Sequence, residues 1–161
     1  MHITIHTFED RAPQPQPDNF LNLSFMNISR TRGYWITFES DIVSGSALLV
    51  ASGSVNEIRN RPLPQYISVE TSVKAYENLR LLDDAEPHIY RFEPLPNPGD
   101  YDLIGKISQI YTNDGELWAM DVWVGACEFG FSKEQLNGVE VEKGAWVQFR
   151  VRELELFDEN Y

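Results

Sequence analysis

The chain has 161 residues, 42% hydrophobic and 12% aromatic, with 25 Asp and Glu against 13 Lys and Arg for a net charge of -12. That composition can bury a core, which argues against a disordered chain, and an acidic field repels polyanions and draws basic partners. The single cysteine, Cys127, allows no intrachain disulfide. The longest apolar run, Ala47–Ala51, is far too short to cross a bilayer, and the N-terminal MHITIHTFEDRAPQPQ has no basic-then-apolar leader. A soluble, cytoplasmic protein without membrane contact is expected.

The chain opens on a short strand, His2 to Phe8, placed at a sheet edge, where pairing with a second copy would give a homodimer. His2, Thr4 and His6 share one face of it. Two imidazoles suit a metal or an anion, but no cysteine stands nearby, so they read as solvated histidines and no metal site is expected. A Pro-rich stretch, Ala12 to Pro17, follows. Leu21, Leu23 and Phe25 alternate, as do Tyr34, Ile36 and Phe38, the period-2 pattern of half-buried strands. Two arginine pairs, Arg30/Arg32 and Arg59/Arg61, fall in expected loops. If those loops adjoin, four guanidinium groups form an anion site for phosphate or a carboxylate, serving a small-anion binder or an enzyme; otherwise they are solvated loop charges.

From Tyr66 to Ala75 the chain alternates again. A helix over Thr71 to Leu82 is the rival, because Val73, Tyr76 and Leu79 recur every three residues. The expectation is a strand to about Ala75, then a helical turn or loop. Glu93-Pro94-Leu95-Pro96-Asn97-Pro98-Gly99-Asp100 carries three prolines at alternate positions, which bar both helix and central strand. It divides the chain into an N-terminal β-rich unit (1–93), a connector (94–100) and a second unit (101–161).

The second unit reads most clearly. Leu103 to Tyr111 is a strand containing Gly105, and Thr112-Asn113-Asp114-Gly115 is a turn whose residues accept positive φ. Glu116 to Val124 follows, with Trp118, Met120, Val122 and Val124 on one face and Leu117, Ala119, Asp121 and Trp123 on the other. Gly125-Ala126 reverses the chain, and Cys127, Phe129 and Phe131 face one way. Ser132-Lys133-Glu134-Gln135 is a capping box opening a short helix that Asn137-Gly138 ends. Lys143-Gly144 turns into the strand Trp146 to Arg152. There the apolar phase slips from Val147, Phe149 and Val151 to Leu154 and Leu156, which implies a bend near Arg152-Glu153.

This order of strands, one short helix and strands, with Gly105 in the first, resembles an OB-fold or a similar small β-barrel. The expected class is therefore mostly β: two small packed units, the second an OB-like barrel. The resemblance implies a surface of aromatic strands, Trp118, Trp123, Trp146 and Tyr111, for single-stranded nucleic acid or an oligosaccharide. From Tyr101 onward, however, only Lys106, Lys133, Lys143, Arg150 and Arg152 are basic, so nucleic acid is disfavoured.

Chemistry is sparse. Cys127 shares parity with Phe129 and Phe131, where a buried thiol is inert. Asp121 and Glu128 face across the Gly125-Ala126 hairpin, but paired carboxylates arise by chance in so acidic a chain. No Gly-rich phosphate loop, CxxC, HExxH or GxSxG is present. A non-catalytic protein without cofactor is expected. Acidic residues cluster at Asp83–Glu86, at Glu140/Glu142 and from Glu153 to Glu159. Small, acidic and without catalytic residues, the chain is similar to bacterial toxin-immunity and inhibitor proteins. That resemblance implies occlusion of a basic protein, such as a toxin or a nucleic-acid-processing enzyme. Glu140, Glu142, Glu153, Glu155 and Asp158 are the expected acidic contacts, with Trp118 and Trp146 as aromatic anchors.

Overall fold

Alternating apolar and polar side chains turn nearly every segment of this chain into strand. The computed structural model describes residues 1–9, 33–50, 55–136 and 138–158. In chain order the elements are β1 (His2–Glu9), β2 (Gly33–Glu39), β3 (Ser44–Val50), α1 (Val55–Arg59), β4 (Gln65–Leu81), β5 (Arg91–Pro94), β6 (Tyr101–Asn113), β7 (Glu116–Val124), β8 (Cys127–Ser132), α2 (Lys133–Leu136) and β9 (Trp146–Asp158). The chain is mostly β, as expected, and all nine strands belong to one sheet. Residues 10–32, with the Pro-rich stretch, the Leu21–Phe25 alternation, Arg30 and Arg32, lie outside the described residues, as does Asn137.

Five strands close into a ring. β1 pairs with β2 and β4, β2 with β3, and β4 with β9, all antiparallel; β3 then runs parallel to the end of β9, Leu48–Val50 beside Glu155–Phe157. Ile3, Ile5, Ile36, Leu49, Val69 and Leu156 are buried on these strands, none more than 1% exposed. β1 is thus interior to the sheet, which corrects its placement at an edge: β2 pairs with it over Thr4–Glu9 and β4 over His2–Ile5.

The other strands build on the far halves of β4 and β9. Trp146–Val151 of β9 pairs with β6, β6 with β7, and β7 with β8, while short β5 lines β6. β8 returns to β4 through side chains: Thr71 Oγ1 donates to the Glu128 carbonyl at 3.0 Å, and Tyr76 stacks on Phe131 at 4.0 Å. The filling here is aromatic, with Phe92, Tyr101, Phe129, Phe131 and Phe149 in ring contact.

β4 and β9 serve both rings. The phase slip at Arg152–Glu153 marks the level where β9 passes from one to the other: Val147, Phe149 and Val151 are buried before it, Leu154 and Leu156 after it, and Glu153 takes φ 49°. β4 corrects the expectation of a turn after Ala75. It stays extended to Leu81 because β9 pairs with it from Val69 onward; the step from Val73 to Tyr76 lies opposite the β9 slip from Leu154 to Val151, the step from Tyr76 to Leu79 spans a register shift between Glu77 and Arg80 with Asn78 at φ 55°, and together they give the three-residue spacing that imitates a helix.

The Pro-rich stretch packs at this crossing. Asp100, 5% exposed, accepts from the Glu153 amide at 3.2 Å and pairs with the Arg152 guanidinium, and Leu154 N donates to Gly99 O at 2.8 Å. Trp35 lies against Gly99, which explains why both faces of β2 are covered.

Local chemistry fixes the ends of the later strands. Asp114 and Gly115 take φ 50° and 81° in the two-residue β6–β7 turn. Gln135 Oε1 accepts from the Ser132 amide at 2.8 Å, closing the capping box on α2. Gly105 lets β7 approach: a Cβ there would stand 2.6 Å from the Trp123 carbonyl oxygen.

Candidate partner-binding face

Directly opposed residues on antiparallel strands point to the same side. Trp146 of β9 opposes Lys106 of β6, Lys106 opposes Trp123 of β7, and Trp123 opposes Glu128 of β8. The four side chains form one row across the outer face. At ~4.8 Å between strands the Trp123 and Trp146 Cα atoms stand about 10 Å apart with Lys106 between them. Lys106 Nζ lies 5.9 Å from the Trp146 ring, and Tyr90 and His88 approach the same indole at 5.0 and 5.8 Å. Trp123 is 38% exposed.

Further along β9 the same face carries a charge network. Asp102 receives the Arg91 guanidinium, has Arg150 Nε at 3.6 Å and accepts from Gln148 Nε2 at 2.8 Å. Gln148 Oε1 accepts from Arg80 Nε at 3.1 Å. Arg152 joins Asp100 to Glu77, and these carboxylates, Asp100 first, push the guanidinium's pKa further up. Each carboxylate of this network is matched by an arginine. Exposed pairs contribute little; the buried Asp100 makes its own pairing matter more.

The β7–β8 end of the row is different. Tyr111 OH donates to Asp121 Oδ2 at 2.5 Å, and Ser108 Oγ donates to Glu128 Oε1 at 2.6 Å while standing 3.1 Å from the Asp121 carbonyl. The Asp121 hydrogen bond, with help from the Glu128 charge, pushes the Tyr111 phenol's pKa up. Neither Asp121 nor Glu128 has a Lys or Arg within ion-pair distance among the described residues. Gly130 opposes Asp121 and leaves the space beside it open.

The residues expected from the sequence divide between places. Glu140 and Glu142 are exposed in the loop feeding Trp146, at the row's edge. Glu153, Glu155 and Asp158 lie at the other end of β9; Trp146 and Glu153 are seven residues apart, about 23 Å at ~3.3 Å per residue. Glu153 is tied to Lys74 at 2.8 Å, Glu155 is half-buried, and Asp158 is only 6% exposed. These five acids therefore do not form one surface, and Asp158 is corrected from contact to buried residue. Trp118 is 62% exposed but sits by the β6–β7 turn, beyond the buried Met120 and away from the row. Trp146 belongs to the row and is half-buried.

Arg59 stacks over Tyr34 at 5.0 Å, and Arg61 follows α1. Neither lines two shallow depressions of about 200 and 210 Å³, the first bounded by Ile42, Tyr90, Arg91, Phe92, Val124 and Gly125, the second by the Pro-rich stretch, Gly45, Ser46 and Tyr101. His2 stacks on Tyr66 at 5.4 Å while His6 meets Glu39 at 3.2 Å, so the two imidazoles have separate partners. No group of three metal-ligating side chains occurs among the described residues. Burial pushes the Cys127 thiol up to about 12, which leaves almost no thiolate near neutral pH. No described helix is long and apolar enough to cross a membrane.

Sequence reasoning missed Tyr90 and His88 as members of the face, and missed the link from Tyr111 to Asp121. Their contacts depend on the pairing of β6 with both β7 and β9, which no local pattern announces. No known family model matches the chain, and no curated protein or solved structure matches it.

Proposed function

We propose that this protein is a non-catalytic binding module, built on OB-like barrels, that docks a basic protein on the outer face of β6, β7 and β9 and occludes it in the manner of an immunity or inhibitor protein. One observation carries the reading: Trp123, Trp146, Tyr90 and Tyr111 gather on one side of a chain of net charge -12. Interface hot spots are rich in Trp, Tyr and Arg, and this face supplies all three, with Arg80 and Arg150 beside the aromatics. Glu128 at one end of the row and Glu140 and Glu142 at the other give an acidic rim, which speeds and orients the approach of a basic partner. The OB-like reading draws on the closed five-strand ring, with its single parallel seam, and on the second ring grafted to the same two long strands.

A second reading has its own support. Arg80 and Lys143 bond to amide oxygens of Gln148 and Gln109, and Lys106 meets an indole, so among the described residues three cations near Trp146 lack a carboxylate partner. That suits a short single-stranded nucleic acid stacked on the indoles, against the repulsion of the whole chain.

The test begins with capture from native lysate on the wild-type protein and on Trp123→Ala and Trp146→Ala. A captured protein is then purified and titrated calorimetrically, beside a single-stranded oligonucleotide. The expected result is a basic protein binding at 1:1, weakened at least about tenfold by either substitution. Binding of the oligonucleotide alone, or a partner indifferent to both tryptophans, overturns the reading.

A further inference from the structure

The carboxylates on the outer face are treated unequally. Asp102, Asp100 and Glu77 each meet an arginine, whereas among the described residues the side chains of Asp121 and Glu128 meet only hydroxyl groups. Those two flank Trp123, one two residues back on β7 and the other directly across on β8. Tyr111, 41% exposed, closes the side next to Asp121, and Gly130 contributes no side chain that would fill the gap. The result is a half-open cup with one exposed indole, one phenol and two carboxylates without a cation.

We propose that this cup receives an arginine side chain of the partner protein, its guanidinium lying on the Trp123 indole and donating to Asp121 and Glu128. The inference rests on the proposed docking of a basic protein and names the group that such a partner inserts. A planar guanidinium suits the cup better than an ammonium. It stacks flat on an indole, its donors fork toward two acceptors, and it is more weakly hydrated, so less is lost on leaving water. Neither carboxylate has to move or abandon its hydroxyl donor, because each oxygen accepts more than one hydrogen bond. The existing hydrogen bonds from Tyr111 and Ser108 hold the carboxylates in place beforehand, which lowers the ordering cost of binding.

The experiment uses the full chain and a small probe, N-acetyl-arginine amide, with N-acetyl-citrulline amide as its neutral isostere. Binding is followed on the indole N–H resonances by NMR. The Trp123 resonance is expected to shift saturably with the arginine probe and at least about tenfold more weakly with citrulline. Exposed Trp118, on the same strand but away from both carboxylates, is the internal reference. Asp121→Asn/Glu128→Gln keeps acceptors for Tyr111 and Ser108 and is expected to abolish the difference between the probes. Gly130→Val fills the gap, its Cβ standing 3.4 Å from Asp121 Oδ1, while both carboxylates keep their charge; it is expected to block the Trp123 shift, which covers the case in which the double variant fails to fold. Equal responses to both probes, an equal shift at Trp118, or a Trp123 response that survives in both variants overturns the cup. No partner protein takes part, so a negative titration removes the arginine cup and leaves the wider docking reading to its own test.

Discussion

The two rings are held by different means. In the first, backbone hydrogen bonds run through all five seams and the interior is largely aliphatic. In the second, the seam between β8 and β4 is closed by side chains, chiefly the stack of Tyr76 on Phe131, and the interior is aromatic. A ladder of backbone bonds survives the change of any one side chain; a seam made of rings does not. The second ring also carries the exposed aromatic row, so the more side-chain-dependent half of the molecule is the half proposed to bind.

The largest expected effect comes from breaking the aromatic seam. Phe149 is fully buried and touches Tyr76, Phe129 and Phe131. Phe149→Ala is expected to cost about 3–5 kcal/mol by denaturant unfolding. Amide exchange in β7 and β8 should quicken before that in β1 and β2. Simultaneous loss of protection in all four strands would mean that the rings unfold as one unit and that the contrast between their seams has no energetic consequence.

A smaller effect tests the tie between the rings. Tyr101 starts β6 in the second ring, yet its hydroxyl donates to Ser46 O on β3 of the first at 2.7 Å. Burial raises its pKa, so the phenol stays protonated as a donor across the ordinary pH range. Tyr101→Phe removes the donor, keeps the ring against Phe92, and strands a partly buried carbonyl. A loss of about 1 kcal/mol is expected. No change in the unfolding midpoint would show that packing alone joins the rings.

Much of this contrast was legible in the sequence after Tyr101 and little before it. The Asp114-Gly115 turn, the Ser132–Gln135 cap and the alternation of β9 are written in local residue chemistry, and local chemistry is what a single sequence exposes. The slip at Arg152–Glu153 could be located, but its meaning could not, because passing from one core to another is a property of two strands at once. β4 failed for the same reason: the shift near Asn78 makes sense only against β9. The row of Glu128, Trp123, Lys106 and Trp146 was hidden further by register shifts in β6 between Ile107 and Gln109 and between Tyr111 and Thr112. Counting carboxylates gave the sign of the field. It could not reveal that Asp158 is buried and Glu153 paired while Asp121 and Glu128 stay unmatched.

The smallest expected effect concerns one carboxylate of the first ring. Glu155 lies half-buried on β9 opposite Ser72, and burial, reinforced by the charge of Glu153 and opposed by Lys74, pushes its pKa up. A carboxyl whose folded pKa exceeds its unfolded value binds its proton more tightly in the native state. Its contribution to stability is fully present below the unfolded pKa, about 4.3, and is lost as pH rises through the folded value. At pH 7 the ionised group therefore opposes folding, and Glu155→Gln removes that opposition while keeping the shape. The variant is expected to melt about 1–2 °C above the parent at pH 7, solvent screening keeping the gain small, and to lose the advantage by about pH 4. The difference between the two melting curves isolates this group together with its repulsion by Glu153, since carboxylates remote from it are untouched by the substitution. A gain of the same size at both pH values would trace the effect to packing, and a loss at pH 7 would mean that the attraction of the Lys74 charge outweighs burial.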